Sequence, residues 1–110
     1  MEPTPKPELA AAIDMLWERF LPQIRERVTV LALAAEACSK GKLTAAETSA
    51  AHDAAHKLAG SLGTFNLTRG TVLARELELL YSVEDLPASE LGPNLAAVAA
   101  ELRAMIENRK

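Results

Sequence analysis

The two histidines of the chain, His52 and His56, stand four residues apart. An imidazole is largely neutral near pH 7 and offers a ring nitrogen as a nucleophile, and two imidazoles one helical turn apart can also chelate a metal ion from one face. The zinc-protease form of this spacing needs a glutamate directly after the first histidine, where Asp53 stands, and no further histidine is present to complete a site. We expect no bound metal.

The surroundings of His56 point to nucleophilic use instead. Advancing about 100° per residue, Ser49, His52, Asp53, Gly60 and Gly63 fall on the His56 side of a helix, while Glu47, Ala51, Ala54, Leu58, Leu62 and Phe65 spread round the opposite side. Glycine inside a helix costs about 0.8–1 kcal/mol relative to alanine, so two of them beyond an exposed imidazole need a reason other than helix stability. Their effect is a bare patch, through which another protein's backbone or a phosphoryl group can approach the ring. The plainer alternative is a solvated surface histidine, with Gly63 no more than a helix C-cap.

The elements that must position this face are legible as apolar periodicities. Leu9, Ile13, Leu16, Trp17 and Phe20 predict a first, short amphipathic helix from Pro7 or Glu8 to about Phe20. Pro22 suits the first turn of a second helix, whose stripe of Ile24, Val28, Leu31, Ala35 and Cys38 should stop at Gly41. Thr44 with Glu47 is a capping-box pattern, so the histidine helix should start at about Ala45 and end between Gly63 and Asn66. Thr68 is the expected cap of the next helix, with Val72, Leu73, Leu77 and Leu80 as its apolar face. Pro87 and the Gly92-Pro93 pair complicate the next boundary, but Leu91, Leu95, Val98, Leu102 and Ile106 form the last stripe. The expectation is all-α: an antiparallel up-down four-helix bundle over residues 8–110 with an additional short N-terminal helix. Residues 1–7, rich in proline, read as a flexible lead or the remnant of a linker.

Composition agrees and narrows the function classes. The 110 residues make one domain, and with 49% apolar but only 4% aromatic residues the core must be Leu, Ala, Val and Ile. Trp17, Phe20 and Phe65 are read as core or cap residues. A net charge of −3 provides no basic field for a nucleic-acid backbone. No apolar run approaches a membrane span, and MEPTPKPEL lacks the features of a signal peptide, so a cytoplasmic location is expected. Cys38, the single cysteine, reads as a buried small hydrophobe.

The run AHKLAGSLGTFNL from Ala55 to Leu67, followed by ARELELL from Ala74 to Leu80, resembles the histidine-containing phosphotransfer (HPt) family. The shared core is His56, Leu58, Gly60 and Gly63, and with the helix count the likeness spans essentially the whole domain. The resemblance implies that His56 takes a phosphoryl group from a receiver-domain aspartate and gives it to another in a bacterial-type multistep phosphorelay. It also implies no cofactor of the chain's own, with Mg2+ and the catalytic lysine supplied by the receiver. Partners would be receiver domains of response regulators or hybrid histidine kinases, and the chain would be monomeric or part of a larger multidomain protein.

Two positions depart from the pattern. Many members carry a lysine three residues after the histidine, where this chain has Ala59, with Lys57 directly after the histidine instead. Lys57 lies about 100° round from His56 and would reach a phosphoryl only by curling sideways. Asn66 replaces a glycine, and asparagine is the residue that best tolerates the left-handed conformation of a helix-ending turn. Lys57 and Gly60 are therefore expected beside the phosphoryl, and Ser49, His52, Asp53, Ala59 and Gly63 on the docking face, with Leu33, about 180° round its helix from Ile24, either part of that face or packed on the first or last helix. A helical interaction domain that binds a receiver or helical partner without being phosphorylated is the alternative that Ala59 keeps open.

Overall fold

Four helices and no strand make up the described residues, 7–82 and 88–109, of the computed structural model: α1 (Pro7–Ser39), α2 (Ala45–Thr64), α3 (Thr68–Leu80) and α4 (Ala88–Glu107). Residues 1–6 of the expected lead, and Pro87, lie outside the described residues.

The expected short N-terminal helix is not a separate element. Pro22 sits inside one continuous 33-residue helix, and Pro7 of the expected lead is its first residue. Interior proline costs about 3 kcal/mol through a lost hydrogen bond and a clash with the carbonyl four residues back. That carbonyl belongs to Glu18, which like Pro22 is exposed, so water can take up the freed acceptor. Against this cost, Trp17 is buried before the proline and Ile24 after it, on one stripe. Burying a tryptophan is worth about 4–6 kcal/mol at the usual area coefficient, which outweighs the proline and keeps the helix unbroken.

Both turns that leave a helix toward α2 and α3 are closed in the same way. Gly41 (φ 68°) ends α1, its N–H donating to Cys38 O and that of Lys42 to Ala37 O. Asn66 (φ 60°) ends α2 with the equivalent pair, Asn66 N to Gly63 O and Leu67 N to Leu62 O. These are left-handed Schellman caps, and Asn66 fills the glycine role as its residue type suggests. Thr44 and Glu47 form the complete capping box at the start of α2. Thr68, in contrast, is not a cap: Leu67 takes that position and makes no side-chain hydrogen bond. The link from α2 is so short that the cap position falls to a residue whose side chain packs on the core.

Packing runs α1 against α2 and α4, α2 against α3, and α3 against α4, with neighbours antiparallel. The ion pair Arg25–Glu107 and the hydrogen bond from Arg103 to Thr29 mark the antiparallel α1–α4 seam. At that seam Gly92 lets α4 touch the end of α1, since a Cβ there would come 2.8 Å from Ser39 Cα. Ile24, Leu31, Leu58, Leu62, Leu77, Leu95 and Leu102 are fully buried in the centre. Trp17 meets Phe65 edge to face at 5.1 Å, and Cys38 is buried, its thiol pKa pushed up by that burial.

Phe20 and Val72 depart from expectation, being 42% and 45% exposed. At 1.5 Å per residue α1 is about 50 Å long and α2 about 30 Å, so the N-terminal turns of α1 run past the layer that covers the rest of it. Val72 is about 100° round α3 from the buried Leu73, outside the stripe of Leu73 and Leu77 that meets the core.

Candidate functional site

Helix α2 buries Ala51, Ala54, Ala55, Leu58, Ala59 and Leu62. That apolar side clamps the helix between α1 and α3 and turns the His56 face outward. The His56 side chain is 67% exposed. Ser49, Asp53, Lys57, Gly60 and Gly63 are also exposed, and His52 is partly so. Ala59 is a correction: expected on the docking face, it is 2% exposed and lies under α3, where Thr71 Oγ1 is 3.4 Å from its carbonyl oxygen. It offers a partner no surface. Leu33 is 59% exposed, on the outward side of α1.

Glu78 of α3 is the residue that the sequence did not disclose. Its Oε2 lies 2.9 Å from His56 Nδ1. A carboxylate only accepts, so Nδ1 carries a proton, and in the neutral ring the lone pair is then on Nε2. The same oxygen is 4.0 Å from His52 Nε2, beyond hydrogen-bond distance. The signal was the short link: two antiparallel helices joined symmetrically about Leu67 bring residue 78 level with residue 56.

The opposite flank is cationic but occupied. Lys57 Nζ pairs with Asp53 Oδ2 at 2.9 Å, and both line a groove between α1 and α2 together with Arg27. The Lys57 hydrogen bond holds the Asp53 carboxyl below the usual carboxylate range. Beyond the ring the surface is bare: a Cβ on Gly60 would meet nothing within 4 Å, and one on Gly63 only Thr71 Oγ1 at 3.6 Å. Among the described residues no group of three metal-ligating side chains converges.

An outward imidazole with one nitrogen hydrogen-bonded and the other free, beside an unobstructed surface, is chemically able to act as a nucleophile toward a group that another molecule brings. The sequence matches the family profile of the Hpt domain over residues 15–110. The chain belongs to the Hpt domain family. As an Hpt domain it is a phosphotransfer component of two-component phosphorelays, which operate with receiver domains. Protein RcaC of Microchaete diplosiphon is similar to it, 35% identical over 68 residues, which is 62% of this chain and 10% of that protein. The Hpt domain thus spans about a tenth of the length of that relative. No solved structure matches it significantly. Among the described residues no helix is long and apolar enough to cross a membrane.

Proposed function

We propose that His56 Nε2 is the phosphoryl acceptor and donor, taking the group from the phosphoaspartate of one receiver and passing it to the aspartate of another. The observation that carries this is the hydrogen bond from His56 Nδ1 to Glu78, which leaves Nε2 as the free nucleophile over the bare surface of Gly60. In the forward step the Nε2 lone pair forms the N–P bond and the P–O bond to the receiver aspartate breaks, returning a carboxylate. No proton has to leave, because Nε2 carries none. The ring becomes a cation whose Nδ1–H already donates to Glu78, so that carboxylate stabilises the phosphorylated state more than the free one. Phosphoryl transfer needs chiefly in-line positioning and charge neutralisation. One exposed nucleophile on a rigid helix suffices on this side, with Mg2+ held by the receiver.

Exposure to a panel of phosphorylated receivers, followed by intact mass spectrometry, tests the reading. An acid-labile, base-stable adduct on His56 is expected. Stable receiver binding with no adduct would instead favour the non-phosphorylated interaction domain, the reading that Ala59 in place of a lysine keeps open.

Two neighbouring residues have predictable effects. Glu78→Ala should slow acceptance about tenfold or more, the equivalent of a charged hydrogen bond, with Glu78→Gln intermediate because its amide oxygen still accepts from Nδ1. Equal rates for all three proteins in a single-turnover assay would deny Glu78 any part. For Lys57→Ala the expected loss is about threefold or less at low salt and smaller at high salt, because the exposed lysine is already paired and its attraction is screened. A loss that grows with salt would contradict this.

A further inference from the structure

We infer that Arg75 of α3 is a phosphoryl-binding residue of this site, its guanidinium crossing the bare surface of α2 to the oxygens of the group on His56. This deepens the phosphohistidine reading and rests on it. On α3 the antiparallel register against α2 is fixed at two places: Glu78 is bonded to His56, and Thr71 sits against Ala59 and Gly63. Arg75 lies between them, three residues before Glu78 and four after Thr71, and is therefore level with Ala59, between His56 and Gly63. At about 100° per residue it shares their side of the helix, further out, on the lip of the α2–α3 seam. It is exposed, and it makes no ion pair among the described residues.

The charge at the site gives this position its significance. Two carboxylates, Glu78 and Asp53, stand beside the ring, so a phosphoryl dianion would arrive next to negative charge. Lys57 is held by Asp53 on the α1 flank, and Arg27 donates to Ser61 Oγ on that same flank. Ala59, level with Arg75, has no charge to offer and is buried. On the α3 flank Arg75 is the cation in place. Gly60 and Gly63 add no side chain to the α2 surface beside the imidazole, and a Cβ on Gly60 would meet open space. A guanidinium is always charged and presents a rigid fork of donors that fits phosphoryl oxygens. The two glycines then serve a second purpose, since they keep open the lane along which this arginine reaches the phosphoryl.

The test uses phosphoramidate, a small phosphoryl donor that needs no receiver, so that docking does not enter. Nε2 forms the N–P bond, the P–N bond of the donor breaks, and ammonia leaves with a proton from water. Loading is followed by phosphate-affinity electrophoresis for wild type, Arg75→Ala, Arg75→Lys and His56→Gln, at low and high salt, with unfolding midpoints measured alongside. Arg75→Ala is expected to load about tenfold more slowly at low salt, with less salt dependence and an unchanged midpoint, and Arg75→Lys should recover much of the rate. Loading of Arg75→Ala at the wild-type rate, or a loss that Lys does not relieve, overturns the role of Arg75 while leaving His56 as acceptor. Wild-type protein that takes up no label, or a label that survives His56→Gln, overturns the phosphohistidine reading and this inference with it.

Discussion

Replacing His56 by Gln is expected to abolish phosphoryl acceptance from a phosphorylated receiver while leaving the bundle folded. The ring is two-thirds exposed and its one partner is Glu78, at 2.9 Å. An exposed polar substitution of this kind changes stability by about 0.5 kcal/mol or less, so the unfolding midpoint should hardly move while the acid-labile adduct disappears. His52→Gln is the control. That ring is 4.0 Å from the shared carboxylate and holds no hydrogen bond to it, so acceptance should persist. If the His52 variant were the inactive one, the acceptor would be the wrong histidine.

The second large effect is expected at Gly60, where stability and activity should move in opposite directions. A Cβ there meets open space, so Gly60→Ala should stabilise the helix by up to about 1 kcal/mol, and Gly60→Gln should retain much of that gain. The glutamine, however, places several heavy atoms about 40° round from His56 and one turn on, where a receiver's active-site loops must come. Accommodating such a side chain in a packed contact costs about 1–3 kcal/mol, so receiver-to-His56 transfer should slow by up to about a hundredfold. A thermal melt and a transfer rate on the same variant decide the matter. A destabilised Gly60→Gln protein would show that the glycine serves packing rather than approach.

Most of the fold was legible because the signals are local. The Thr44–Glu47 capping box, the stop at Gly41 and the left-handed Asn66 each depend on a handful of adjacent residues, and all appear in the structure as their types predict. The outward placement of His56 was legible too, because a period of 3.6 residues converts spacing directly into a face. The exposed histidine and the bare patch beside it are therefore written in Ala55 to Asn66.

What the linear order could not convey were the choices made by contacts between helices. Pro22 looks like a boundary when only the backbone is weighed, and becomes an interior residue once the burial of Trp17 and Ile24 on one stripe is counted. Ala59 carries no mark of burial in its type, and α3 covers it because the register of the α2–α3 hairpin brings Thr71 there. Glu78 reads as one acidic residue among several until that register sets it against His56, 22 residues away. The sequence determined the outward histidine and the helix that presents it. The tertiary structure decided which ring nitrogen is free and which charges surround it, because an imidazole's tautomer depends on a partner from another helix.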